Sequence, residues 1–214
     1  NIFNPKEKKI SDFCALFVSP GISKNHEVIK KAAKKKIPIS SDIELFWENK
    51  IANDIGQSIL GVTGTNGKST IALMIANVLK TQPTGNFGNT ILDNFDKKVK
   101  YFVIELSSFQ LDYIENFKPN ISIISNINND HLNYHKTFDN YFKAKINISK
   151  NQDKEDFLIL NYDDENIKNY FNQKNDIKAK IIKISNKPSV SKSIYYKTNE
   201  IYDNFFTNKK YSLK

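Results

Sequence analysis

The run Gly61-Val62-Thr63-Gly64-Thr65-Asn66-Gly67-Lys68-Ser69-Thr70 follows the apolar pair Ile59-Leu60 and precedes an apolar helical pattern from Ile71 to Leu79. A strand that ends in a glycine-rich turn and re-emerges as a helix aims several backbone N–H groups, one lysine and one hydroxyl at a single small volume. Such N–H groups, with the helix dipole behind them, hold anions, so the volume suits a polyphosphate. The regular phosphate-loop pattern asks for glycine where this chain has Val62, but the ending Gly67-Lys68-Ser69 is intact. In that pattern Lys68 neutralises the outer phosphates, and Ser69 or Thr70 gives a hydroxyl to Mg²⁺. The plainer alternative is a tight turn that only caps a helix, and the strand-turn-helix context weighs against it.

Upstream, the apolar run 13–18 ends in Ser19-Pro20-Gly21 and predicts a buried strand followed by a helix over 25–36, with Val28, Ile29, Ala32 and Ala33 as its apolar stripe. A second strand is expected over 37–40, with Ser41 or Asp42 capping a helix through Ile43, Leu45, Phe46 and Trp47. This reads as half of a doubly wound unit that lacks its beginning. Polar residues and a glycine over 53–57 mark a boundary between it and the phosphate-loop unit.

Downstream, the loop's helix is expected to run to Lys80 and to break over 81–85. Tyr101-Phe102-Val103-Ile104 reads as a core strand with Glu105 at its end, and the run 121–125 as another, leading to Asn126, Asn128, Asp130 and His131. In open α/β sheets ligands bind beyond the carboxyl ends of the strands, which puts Glu105 and His131 on the same side as the phosphate loop. A helix over 138–149, a strand over 157–160, a helix over 163–171 and a strand over 180–184 follow; the tail reads as a hairpin with its turn at Asn208-Lys209-Lys210.

The chain has 214 residues, 39% of them hydrophobic, enough for one good core or two modest ones. The single Cys14 can form no internal disulfide, and no apolar run reaches membrane-spanning length, so a cytoplasmic protein is expected. A net charge of +9 invites thoughts of nucleic acid, yet all 32 basic residues are lysines, and bidentate phosphate and base readers favour arginine. A lysine-rich solvated surface that also attracts anionic small substrates is the simpler reading.

Taken singly, Glu105, His131 and Lys145 say little: a strand end often carries a charge, His135 lies close to His131, and lysines abound. Their order is more informative. The phosphate loop, then Gly-Asn-Phe-Gly (85–88), Glu-Leu-Ser-Ser-Phe-Gln-Leu (105–111), Asn-x-x-x-Asp-His-Leu (126–132), Ala-Lys (144–145) and Leu-Asn-x-Asp-Asp (160–164) together resemble the Mur ligases. Ser-Ser-Phe-Gln-Leu, with Ser19-Pro20-Gly21-Ile22 and Asp42-Ile43-Glu44-Leu45, narrows the resemblance to the branch that adds D-glutamate to UDP-N-acetylmuramoyl-L-alanine in peptidoglycan precursor synthesis.

The resemblance implies an α/β fold: a partial Rossmann-like N-terminal unit (1–52) that binds the nucleotide sugar, then a central P-loop domain (53–214) with a mainly parallel sheet, and no C-terminal domain. It implies ATP and Mg²⁺, with Gly64, Thr65, Asn66, Gly67, Lys68, Ser69 and Thr70 around the phosphates. Ser69 and Glu105 would hold one Mg²⁺, and His131 and a carbamylated Lys145 a second. Lys68, His131 and Lys145 would carry the chemistry, and Ser19, Asn86, Ser107 and Gln110 would touch the nucleotide sugar. A monomer without nucleic-acid or membrane partners is implied, inactive or slow without a third domain. The chain departs from the family pattern at Asn133, where Asp is expected, at Phe87, where Ile is expected, and in the shortened strand 82–84 before Asn86. The rival readings are another ligase of the superfamily, of the folylpolyglutamate synthase type, and a non-catalytic ATP- or nucleic-acid-binding module.

Overall fold

A computed structural model describes residues 9–52, 56–94, 99–188 and 191–212. The chain opens with β1 (Leu16–Phe17), α1 (Glu27–Lys34), β2 (Ile39–Ser40) and α2 (Asp42–Ala52), and β1 and β2 pair in parallel, Leu16 opposite Ile39. The expected strand over 13–18 shrinks to two paired residues, and Phe17 stays 53% exposed, because a two-stranded sheet cannot cover both of its faces. Cys14 is exposed. In α1 only Ile29 and Ala32 of the expected stripe are buried; Val28 points outward. The helix stops where Lys36 takes a positive φ of 56°, two residues before Pro38.

The first unit is tied to the rest through α2. The Ser41 hydroxyl caps it by accepting from the Glu44 N–H. Ile43 and Phe46 then enter the core of the larger sheet, where Phe46 meets Phe102 edge-to-face at 5.0 Å. Glu44, 2% exposed, accepts the backbone N–H groups of Glu115, Asn116 and Phe117.

That larger sheet contains β3 (Ser58–Thr63), β4 (Pro83–Gly85), β5 (Tyr101–Glu105), β6 (Ile121–Ile124), β7 (Phe157–Asn161), β8 (Lys180–Ser185), β9 (Ser193–Lys197), β10 (Glu200–Asp203) and β11 (Lys209–Ser212). Their order is β11-β10-β9-β8-β7-β6-β3-β5-β4, parallel from β4 through β9 and antiparallel across β10 and β11. β3 lies between β5 and β6 and is buried on both faces, as a continuous apolar run in a parallel sheet requires.

One face of β3 is covered by α3 (Lys68–Val78), whose Ala72 and Ala76 pack on Leu60, Val62 and Val103. The other face carries α2 together with α4 (Ser108–Asp112), α6 (Phe138–Ile146) and α7 (Glu165–Asn172) around Phe117, Tyr141, Leu158 and Leu160. The short α5 (Leu132–His135) precedes α6. α3 ends at Val78 rather than Lys80, which turns the chain with φ 53°.

The shortened strand expected over 82–84 is the edge strand β4 over 83–85, with Pro83 at its first position where a missing N–H is tolerated. Gly85 has φ +88°, and a Cβ there would stand 2.4 Å from the Glu105 carbonyl oxygen, so glycine lets β4 close on the end of β5. The tail is a three-stranded meander rather than one hairpin. Its turns fall at Thr198-Asn199, both with positive φ, and between Asp203 and Lys209, so Lys209 and Lys210 lie in β11. Among the described residues no helix is long and apolar enough to cross a membrane.

Candidate functional site

The phosphate loop leaves β3 at Gly64, where φ is +155° and a Cβ would stand 1.9 Å from Ser125 Oγ. Only glycine fits there. Gly67, with φ +79°, opens α3 without a side-chain cap, which leaves the first-turn N–H groups turned toward any anion at the loop. Thr65 and Asn66 are held from across the sheet: Asn126 accepts the Thr65 N–H on its carbonyl at 2.8 Å and the Asn66 N–H on its side-chain oxygen at 2.9 Å. Lys68 folds back and donates to the Thr65 carbonyl at 3.0 Å.

Across from the loop stands Glu105, 2% exposed at the end of β5. It accepts from the Ser69 hydroxyl at 2.7 Å and from the Asn86 amide at 2.9 Å. Both hydrogen-bonding partners are neutral, and the Lys145 amine adds an electrostatic interaction with the same side chain. β4 delivers Asn86 to this point although its strand is short.

Lys145, on α6, is 2% exposed and donates to the Gly64 carbonyl at 2.7 Å. Burial, reinforced by the positive charge of Lys68, brings its amine down to about 7, while Asp130 and Glu105 oppose that fall. The Tyr141 ring lies 4.9 Å from its Nζ, and the Tyr141 hydroxyl meets Thr65 Oγ1 at 2.9 Å. Tyr141 is not among the residues expected at the site, yet its i, i+4 spacing to Lys145 puts both on one helix face, and that spacing is readable in the sequence.

His131 is exposed, takes the left-handed conformation at φ 50°, and lies 4.8 Å from the Phe109 ring at a tilt of 48°; its backbone N–H donates to Asp130 Oδ1. His135 is instead a buried packing residue: its Nε2 meets Ser108 Oγ at 3.0 Å, and burial lowers its pKa.

Among the candidate contacts for a larger substrate, Ser107 and Gln110 come together but spend their polar atoms on each other and on α2. Gln110 Oε1 accepts from the Ser107 N–H and hydroxyl, and its Nε2 donates to Asp42 Oδ2 at 3.1 Å. Ser19 is exposed in the turn after β1. That turn is pinned by two hydroxyls that no sequence pattern singles out, those of Tyr113 and Tyr134, which both donate to the Ile22 carbonyl.

Among the described residues no three His, Cys, Asp or Glu side chains form a cluster, so the protein offers no closed metal cage there. The Ser69–Glu105 pair fits a different arrangement: Mg²⁺ takes oxygen ligands and keeps several waters, needing one carboxylate and one hydroxyl from protein and the rest from phosphates. Cavities of about 250 Å³ beside Tyr170 and about 420 Å³ beside Tyr113 are not lined by loop residues.

Residues 62–214 match the family profile described as Mur ligase middle domain. The UDP-N-acetylmuramoylalanine--D-glutamate ligases of Clostridioides difficile and Listeria monocytogenes are each 37% identical, over 90% and 94% of this chain. That of Fusobacterium nucleatum is 38% identical over 92%. The chain spans 43%, 44% and 46% of these three relatives, less than half of their length. Among solved structures, the MurF ligase of Thermotoga maritima in complex with ADP aligns with a TM-score of 0.56 at 15% identity, over 92% of this chain and 55% of that one. UDP-N-acetylmuramate:L-alanyl-gamma-D-glutamyl-meso-diaminopimelate ligase from Neisseria meningitides aligns at 0.57 and 14%, over 91% and 66%. At these identities the structural likeness concerns the fold.

Proposed function

The chain belongs to the Mur ligase family, and from that premise we propose that it is the phosphate-loop part of an ATP-dependent ligase that joins D-glutamate to UDP-N-acetylmuramoyl-L-alanine. The observation that carries the reading is the pairing of Ser69 with the buried Glu105 at the open turn of the loop, with the Lys145 amine on the loop's other side. Residues 1–52 then belong to a nucleotide-sugar unit and 53–214 to the ATP unit, with α2 packed into the core of the second. A cytoplasmic monomer that uses only small-molecule substrates completes the proposal.

ATP would supply the phosphoryl group that converts the substrate carboxylate to an acyl phosphate, with ADP as the leaving group, and Mg²⁺ held by Ser69 and Glu105 would supply positive charge to the phosphates. The chain's own groups do the rest. The first-turn N–H groups of α3 donate to the phosphate oxygens, and Lys68, released from the Thr65 carbonyl, swings to the outer phosphates. Glu105 and Ser69 present the oxygen pair for the metal, and Asn86 holds the Glu105 carboxylate in place.

Lys145 has a part of its own. With a pKa of about 7 its amine is substantially uncharged at neutral pH. The neutral amine can attack CO₂: the N–C bond forms as one C–O π bond opens onto oxygen, the nitrogen passes a proton to water, and a carbamate anion stands where the amine stood. A cation there would repel Mg²⁺, whereas the carbamate, with His131, gives a second anionic site. In the amide-forming step the amine of D-glutamate attacks the acyl carbon, phosphate departs, and the nitrogen gives up a proton. Ser19, Ser107 and Gln110 are proposed to face the nucleotide sugar, Gln110 with the one amide hydrogen that Asp42 does not take.

Calorimetric titration with UDP-N-acetylmuramoyl-L-alanine tests the substrate. Binding that a UDP-sugar without the muramoyl group does not reproduce is the expected result. Equal binding of both, or tight nucleic-acid binding that falls steeply with salt, would count for a general binding module instead.

A further inference from the structure

The motif Leu160-Asn161-Tyr162-Asp163-Asp164 has no part in the chemistry above. It lies where β7 turns toward α7, two strands over from β3 in the sheet order. Three side chains of this connection hold the backbone that leaves β6. Asn161 Nδ2 donates to the Ser125 carbonyl at 2.8 Å, Asp164 Oδ2 accepts the Ile127 N–H at 2.9 Å, and Asn166 Nδ2 donates to the Ile127 carbonyl at 2.8 Å.

The backbone so held grips the phosphate loop in turn. The Asn126 amide is bidentate on Asn66, accepting its N–H and donating to its carbonyl, each at 2.9 Å. Ser125 Oγ donates to the same carbonyl at 2.9 Å, and the Asn128 N–H donates to Thr65 Oγ1 at 2.9 Å. Thr65 and Asn66 therefore take their shape from residues about 60 positions away in sequence, and those residues take theirs from the next connection over.

We propose that Asn161, Asp164 and Asn166 are positioning residues for the phosphate loop, a second tier that fixes the 125–128 backbone from which Ser125, Asn126 and Asn128 hold Thr65 and Asn66. Anion sites built from backbone N–H groups work only when the donors are already aimed, because reorganising them on binding would consume affinity. The consequence for nucleotide affinity rests on the function proposed above. The effect on loop shape does not.

Two substitutions separate this role from plain stability. Asn166 is exposed in the first turn of α7, where alanine is the best helix former, so Asn166→Ala removes the bond to Ile127 with little cost to the helix. Asp164 also caps α7 by accepting the Ile167 N–H at 3.0 Å, and Asp164→Ser keeps a capping oxygen but cannot serve both partners. The experiment is amide hydrogen exchange, read residue by residue by NMR on the full chain, with a parallel titration by Mg²⁺ and a non-hydrolysable ATP analogue.

In both variants the Thr65 and Asn66 amides should exchange about tenfold faster while the β3 and β5 amides stay within about twofold of the parent, a local rather than global opening. The Kd for the analogue should rise about three- to tenfold. Unchanged exchange at Thr65 and Asn66, or uniformly faster exchange across every strand, overturns the proposal. Faster exchange confined to the loop in a chain whose parent binds no analogue supports the positioning role and removes the nucleotide reading instead.

Discussion

The Ser69 hydroxyl, in the first turn of α3, donates to the Glu105 carboxylate at the end of β5 at 2.7 Å, across 36 positions of sequence. Neither residue is informative alone. Together they put a hydroxyl and a buried carboxylate at the mouth of a turn built for phosphate. The pair exists because β3 and β5 are parallel neighbours, with Val62 opposite Glu105, so the loop that leaves one strand meets the end of the other.

If that pair is half of a Mg²⁺ site, Glu105→Gln keeps the shape and both hydrogen-bonding partners but removes the charge. The factor by which Mg²⁺ improves affinity for an ATP analogue should fall about tenfold or more, about 1.4 kcal/mol, while thermal stability changes little. Titrations with and without Mg²⁺ measure it. A Glu105→Gln chain that keeps the parent's full Mg²⁺ enhancement would place the metal elsewhere.

Lys145 gives the protein a pH dependence of definite sign. Its folded pKa is about 7, well below that of an unfolded lysine, so between about pH 7 and 10 the unfolded chain binds a proton there that the folded chain does not. Folding stability should therefore rise with pH across that window, by up to about 1.4 kcal/mol per pH unit from this group, and the cost of burying the charge should be fully felt below pH 7. Denaturant unfolding under CO₂-free gas at several pH values, compared with Lys145→Met, isolates the contribution. Parallel pH profiles for the two chains would mean that the amine is not held uncharged.

Glu44 ties α2 to the backbone of residues 115–117. Alanine there leaves three backbone N–H groups of residues 115–117 without their buried acceptor. A loss of about 3 kcal/mol is expected, lowering Tm by about 10 °C. A shift under about 2 °C would show that water replaces the carboxylate freely.

Much of this arrangement is legible in the residues. The long apolar run of β3, the intact Gly67-Lys68-Ser69 and the strand end at Glu105 point to the candidate site, because a parallel sheet gathers its strand ends on one edge. Short strands are less readable. β4 has three residues and begins with proline, and its bounds, one residue later than the expected 82–84, follow from its pairing with β5. The burial of Lys145 is invisible among so many lysines, since it follows from α6 lying under the Gly64 carbonyl. The Gln110–Asp42 bond joins residues 68 positions apart on two helices, and no local pattern encodes such a meeting.

If the loop at 64–70 holds a nucleotide through Lys68, calorimetry with Mg²⁺ and a non-hydrolysable ATP analogue separates the parent chain from Lys68→Ala. Saturable binding by the parent is expected, with a loss of about tenfold or more, about 1.4 kcal/mol, in a Lys68→Ala chain of parental stability. Equal affinity in the two folded chains, or no binding by a folded parent, would contradict it.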